Sequence, residues 1–422
     1  MPEKDFTGLQ IVGFYENSQL LETGVEEGDW IVEYNGEPIT NSNQIDNLKV
    51  QLQTSQNIIL TIRKADGDEE YYEILPGDLG VYLTEVKKNP KVLPDARRIE
   101  NIDRLEKKTG MENSLFYSIH NIFKYFDLHL ELEQIFVFSA YPFRCQFASI
   151  ISKNVFDPTE GFDSASFLFD NLDIKYRQFD TTTSSKKKIH NEIIKSVDND
   201  LPVLSRNCFN NQEWGIIAGY QDNKSKFFTR SFLDNTIEYS IAPNFPNKII
   251  ILEEVPDISC FEENDYAEQH KNCLIKANKI INLDNFGKFF LGNESIRQWI
   301  NFLENEEYFI KLDAAEFDKI CMNHKEIFAN FQINCTIAMN YFESLVDKFP
   351  ESKEHLRRLK KFFRAESKIL FDCQKKIPFI HDKGLQDIWT ENARKKQSIA
   401  LTKILKKNRE ILAVLGKLPL IQ

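Results

Sequence analysis

Two stretches of this chain put reactive groups at the ends of predicted elements. Ser114 opens a predicted helix running from Asn113 to Phe126, and Glu213 and Trp214 head an apolar strand that ends in a turn at Gln221 and Asp222. A hydroxyl at a helix N-terminus and a carboxylate would form a nucleophile and base if the fold joined them. A Ser hydroxyl is a far weaker nucleophile than a thiolate, so Glu213 would serve as a base only if burial raised its pKa. Ser231, on the following strand, would be the group that orients them. His120 lies six residues after Ser114 and so on a different helix face. Cys145 and Cys208 are the alternative thiols, and each also reads as an ordinary buried or loop cysteine. The structural reading stands beside the chemical one: Asn113 or Ser114 caps its helix, a contribution of about 1 kcal/mol, and Trp214 fills core.

The 7 cysteines are scattered and odd in number, with no CxxC pair. No Cys/His cluster has metal-ligand spacing, and no Walker A loop, GxGxxG, HExxH, EF-hand or GxSxG pattern occurs. No metal and no cofactor are therefore expected, and reduced thiols fit a cytoplasmic protein. No run of 18 apolar residues is present, so no transmembrane segment is expected. The start, Met1 to Phe6, has neither the basic nor the apolar region of a secretory signal.

The elements that must position these groups fall in three segments. At 422 residues, with 42% hydrophobic and 28% charged residues, the chain calls for two or three globular domains. The net charge of −11 hides a gradient: residues 1–86 hold 4 Lys/Arg against 17 Asp/Glu, and residues 345–422 hold 19 against 9.

In residues 1–88, Leu9 to Phe14 reads as a strand, Ser18 to Val25 as a short helix, and Trp30 to Tyr34 as a strand entering an Asn35-Gly36 hairpin turn. Ile45, Leu48 and Leu52 repeat at helical spacing, and Asn57 to Lys64 and Glu70 to Leu75 read as strands. The run from Ser18 through Ile39 resembles a PDZ domain of the bacterial type. That resemblance implies a small β-barrel or sandwich that binds a peptide, often a C-terminus, by adding it to a sheet edge. The matching loop is Pro76 to Val81, which gives Gly77, Leu79, Gly80 and Val81, with Leu48 and Leu52 on the facing helix, as peptide-binding residues. Asp78 would repel a carboxylate, and Gly77 and Gly80 also read as a plain turn.

Residues 96–255 read as helices followed by a small sheet, an α+β domain. The Ser114 helix, the Val197 to Val203 approach to a strand and the Glu213 to Gln221 hairpin followed by Phe227 to Ser231 resemble the papain-like fold. The likeness is to its double-glycine-peptidase-like group, which includes the N-terminal domain of butirosin biosynthesis protein H. The resemblance implies acyl transfer or peptide cleavage with Cys where Ser114 stands, His at Glu213 or Trp214, and an orienting Asp or Asn at Ser231. No Gln lies between Leu105 and Asn113 to serve the oxyanion. All four roles depart from the pattern at once.

Residues 256–422 read as a helical bundle, with helices over Phe328 to Phe349, Lys353 to Lys375, Gly384 to Lys407 and Glu410 to Leu418. A basic run of Arg357, Arg358, Lys360, Lys361 and Arg364 suits phosphate or an acidic partner, or is a solvated face. The function expected from these parts is non-catalytic binding of a peptide or protein by a multidomain α+β pseudoenzyme. The alternatives are an acyltransferase or peptidase with a non-standard nucleophile, and a scaffold whose basic tail docks nucleic acid or membrane.

Overall fold

A computed structural model describes residues 8–421 apart from 15–17, 22, 52–56, 65–66, 77–78, 87–89, 106–112, 149–155, 210–212, 235, 237, 257–265 and 376–384. It is a mixed α+β structure with several antiparallel sheets and a helical C-terminal region. The chain divides into two units, Met1–Leu105 with Asp180–Ile249, and Glu106–Phe179 with Ile250–Gln422. The segment expected as one α+β domain, 96–255, is thus shared between the two units, and the helices after 256 group with 106–179.

The first unit opens with an antiparallel sheet in the order Glu69–Ile74, Ile58–Arg63, Trp30–Tyr34, Gly8–Phe14, Val81–Val86. Alternating apolar residues place Leu9, Ile11, Ile31, Leu60 and Ile62 in a common core, closed by Ile45 and the partly buried Leu48 of helix Ser42–Gln51. The expected hairpin is present: Asn35 and Gly36 have φ of 56° and 80° and join Trp30–Tyr34 to Glu37–Pro38. This is the left-handed pair a two-residue turn requires. The Gly28-Asp29 pair is explained by its contacts. Gly28, at φ 100°, donates its N–H to the Ile11 carbonyl, and the buried Asp29 accepts from the Glu26 N–H and from Lys64 Nζ at 2.5 Å. The helix expected over 18–25 is instead a run of turns, with Thr23 N bonded to the Leu20 carbonyl. Gly24 and Gly28, at φ 89° and 100°, are left-handed positions that turn the chain here.

The same unit holds a second antiparallel set, Val203–Arg206, Trp214–Gln221, Lys226–Ser231 and Ser240–Ile241, with Arg97–Arg98 paired to Trp214–Gln221. Helix Lys186–Asp198, capped by the Ser185 side chain, packs on it through Ile189, Ile193 and Val197. Gly219 permits the Arg97 strand to approach: a Cβ there would lie 2.4 Å from the Arg97 carbonyl oxygen.

The second unit is mainly helical: Ser114–Tyr125, Leu132–Phe138, Ser164–Asn171, Ala267–Asn282, Gly292–Leu303, Ala314–Lys348, Lys353–Lys375 and Glu391–Leu415. Ala314–Lys348 runs 35 residues, longer at its start than the helix expected from Phe328, because Asp313 caps it through the Glu316 N–H. Pro350 ends it, as expected. The break expected near residue 408 is absent, and Glu391–Leu415 is one helix. The buried Asn408 faces inward along with Ile404 and Ile411, so tertiary packing holds the helix through a polar stretch. A small sheet of Gln146–Ala148, Phe289–Leu291 and Asn285–Phe286 lies beside helix Gly292–Leu303.

Candidate functional site

The sheet edge of the first unit is the best-built candidate. Strand Val81–Val86 pairs with Gly8–Phe14 and ends the sheet on that side. Helix Ser42–Gln51 contacts this strand. Val81, Leu83 and Leu48 are partly buried against the core. An edge strand keeps backbone N–H and C=O groups for another chain. The turn that enters it is locked. Ser18 Oγ donates to the Leu79 carbonyl at 2.9 Å while accepting from the Leu20 N–H at 3.2 Å. Leu79 is buried in the core, and Gly80 sits at φ +69°, where a Cβ would lie 2.5 Å from Ser18 Cα. Of the residues expected to bind a peptide, Leu79 lies in the core, Leu48 and Val81 pack against that core, and Gly80 enters the edge strand. Gly77 and Leu52 lie outside the described residues. The Ser18 bond spans 61 residues, and no local pattern marks it.

The positions matched to a hydrolase site are built as structural parts. Asn113, not Ser114, is the helix N-cap: its Oδ1 accepts from the Leu115 N–H at 3.2 Å and its Nδ2 donates to the Phe156 carbonyl. Ser114 is the first helical residue, half-buried, and its carbonyl accepts from Ser118 Oγ. Glu213, Trp214 and Ser231 fall in the other unit. Glu213 is half-buried and its backbone carbonyl accepts from the Asn207 N–H at 3.0 Å. Trp214 is buried opposite Arg206 and begins its strand. Ser231 is buried opposite Gly215, and its Oγ accepts from the Leu233 N–H at 3.0 Å, holding a turn.

That turn leads to Asp234, which the sequence reading passed over. Asp234 forms a buried ion pair with Arg230 at 2.8 Å and accepts from the Thr236 N–H, Thr236 Oγ1 and Ser240 Oγ. Arg230 also stacks over Tyr239. The ligand field of this carboxylate is filled by its own hairpin, which makes it a fastener.

Neither alternative thiol is activated. Burial pushes Cys145 and Cys208 up to about 12, and each sulfur is near a Ser hydroxyl, Ser295 and Ser205. A thiol held protonated is not a nucleophile at neutral pH. The six described cysteines are free, and among the described residues no group of three or more His, Cys, Asp or Glu could hold a metal. No helix among them is long and apolar enough to cross a membrane.

The second unit carries a cleft of about 490 Å³ between helices Leu132–Phe138, Ala267–Asn282 and Ala314–Lys348. Its size is in the range of small-molecule sites. Ile333, Ile337, Tyr341 and Val137 form apolar walls, and Asn340 and Lys348 lie on the same face of the long helix. Tyr341 Oη meets His270 Nδ1 at 3.1 Å, and burial holds the phenol well above its ordinary range. The i, i+4 spacing of Ile333 and Ile337 was visible in the sequence, but nothing there distinguished a cleft wall from core.

Of the basic run, Arg357, Arg358, Lys361 and Arg364 are exposed on helix Lys353–Lys375, whereas Lys360 is half-buried and paired with Glu343. Among known proteins, no family model matches this chain and no curated protein matches it.

Proposed function

We propose that this protein is a non-catalytic binder of an extended peptide, which it takes up as an added strand on the Val81–Val86 edge of a PDZ-like module. The observation that carries this reading is the edge itself: an end strand entered through the locked Leu79-Gly80 turn and flanked by helix Ser42–Gln51. Backbone pairing to such an edge supplies affinity, and the apolar wall of Leu48, Val81 and Leu83 selects an apolar side chain on the peptide. Strand Val81–Val86 comes last in the module and pairs with the first strand, Gly8–Phe14, an order that would suit a circularly permuted PDZ domain. The module from Arg97 onward is read as a papain-like fold that no longer carries its chemistry. Support comes from Asn113 as the helix cap, Ser231 in a turn, and two thiols that burial keeps protonated. The location proposed is cytoplasmic.

The test is a library of peptides with free and amidated C-termini, read by fluorescence polarisation on the full chain. Peptides with an apolar last residue are expected to bind, and Leu48→Lys is expected to weaken them at least tenfold. Hydrolysis or acyl transfer that Ser114→Ala abolishes would overturn the non-catalytic reading.

A further inference from the structure

We infer that the peptide taken up on the Val81–Val86 edge is cationic, with Lys or Arg beside its apolar residues. This inference rests on the peptide-binding reading and names the class of partner. The net charge of the chain is concentrated in one place. Residues 1–86 hold 4 Lys/Arg against 17 Asp/Glu, whereas the other 336 residues hold 49 against 47. In the same unit, residues 180–249 hold 9 against 8. The acidic excess therefore belongs to the module that carries the edge and not to the chain as a whole.

The module does not neutralise these acids itself. Arg63 is paired with Glu69, and Lys64 with the buried Asp29. Lys49, in the last turn of helix Ser42–Gln51, is the one other cation among the described residues of the module. Glu26, Glu27, Glu37, Glu70 and Glu73 are exposed, and among the described residues none of them makes an ion pair. Like charges held on one small body draw cations in, keep anions out, and are relieved by a partner of opposite sign.

Position ties this field to the edge. Gly13 pairs with Tyr82 of the edge strand. A Cβ built at Gly13 would lie 3.2 Å from Tyr82 Cδ2 and 3.8 Å from Glu27 Oε1. The Glu27 carboxylate thus sits beside the edge strand, with Glu26 next to it in sequence. The other edge of the sheet, Glu69–Ile74, exposes Glu69, Glu70 and Glu73 along its length. Charges set along an edge strand guard it against pairing. Val81, Tyr82 and Leu83 carry no such guard, and helix Ser42–Gln51 packs on their strand. The two edges stand four strand spacings apart, about 19 Å, which exceeds the screening length of about 8 Å at physiological salt. Acids near Gly13 therefore act on a peptide at this edge more strongly than acids on the far strand.

The test uses three fluorescent peptides on the full chain, read by polarisation. All share a Thr-Val repeat ending in Val, preceded by three Lys, three Gln or three Glu. The Lys peptide is expected to bind about tenfold more tightly than the Gln peptide, and the Glu peptide more weakly than either. The preference is expected to shrink to under about threefold as salt rises from about 0.1 M to about 0.5 M. Glu26→Lys with Glu27→Lys, both exposed positions, is expected to weaken the Lys peptide about fivefold and to leave the Gln peptide within about twofold. Glu70→Lys with Glu73→Lys, on the far edge, is expected to change either by less than about twofold. Equal binding of all three peptides would overturn the inference and leave the peptide-binding reading standing. Failure of all three to bind would overturn that reading and the inference with it. A larger loss from the far-edge pair than from the Glu26 and Glu27 pair would seat the cationic peptide elsewhere and overturn its assignment to this edge.

Discussion

Ser18 Oγ donates to the Leu79 carbonyl at 2.9 Å, tying the first turn of the first unit to the entry of its last strand. The two residues are 61 apart in sequence, so the bond closes the module on itself. It also fixes where the edge strand begins, which is what a peptide would read.

Replacing Gly80 tests that closure. At φ +69° an L residue is strained, and its Cβ would meet Ser18 Cα at 2.5 Å. Gly80→Ala is expected to destabilise the protein by about 1–3 kcal/mol and to weaken peptide binding. Ser18→Ala, which only deletes the bond, is expected to cost about 1 kcal/mol. Urea unfolding and the polarisation assay measure the two effects separately.

Helix Ser114–Tyr125 is capped by Asn113 and not by Ser114. Asn113→Ala removes the side chain that accepts from the Leu115 N–H and is expected to cost about 1–2 kcal/mol. Ser114→Ala is expected to shift stability by under about 0.5 kcal/mol. Equal losses from both would contradict the assignment of Asn113 as the cap.

Arg230 and Asp234 provide a larger effect. Asp234→Ala leaves a buried guanidinium without its carboxylate, and such losses run to about 3–5 kcal/mol. Chemical denaturation of the full chain measures it. Gly219→Ala, which sets a methyl 2.4 Å from the Arg97 carbonyl, is expected to cost about 1–3 kcal/mol by the same measurement.

Two buried groups in the second unit set opposite pH limits. His324 is fully buried among Trp299, Phe328 and Trp389, and burial lowers it from 6.5 to about 3. The folded chain keeps the ring neutral while the unfolded chain protonates it. The associated stability is therefore present above the unfolded value and lost as pH falls from about 6.5 towards 3, by at most about 1.4 kcal/mol per pH unit. Glu366 has the reverse sign. Burial beside Cys335 raises it from 4.5 to about 8, so its contribution is present below about 4.5 and lost as pH rises towards 8. Glu366→Gln is expected to raise stability at neutral pH by up to about 3 kcal/mol and to change it little below about pH 4.5. Urea midpoints across this pH range check both limbs.

Much of the local structure was legible in the sequence. Two-residue alternation in Ile58–Arg63, the Asn35-Gly36 turn and the i, i+3, i+4 repeats of Lys353–Lys375 each depend on neighbours a few residues away, and those signals survive in a linear string. Residue type alone also led to the expectation that Ser114, Glu213 and Ser231 depart from a Cys–His–Asp set. The tertiary structure decided what those residues do instead. It made Asn113 the cap, turned Ser231 into a turn acceptor, and gave Asp234 to Arg230. It also decided which cations remain unpaired, since Lys360 finds Glu343 on another helix while Lys361 finds no acid among the described residues. Such outcomes rest on partners brought together across long stretches of chain, and only the folded packing selects them.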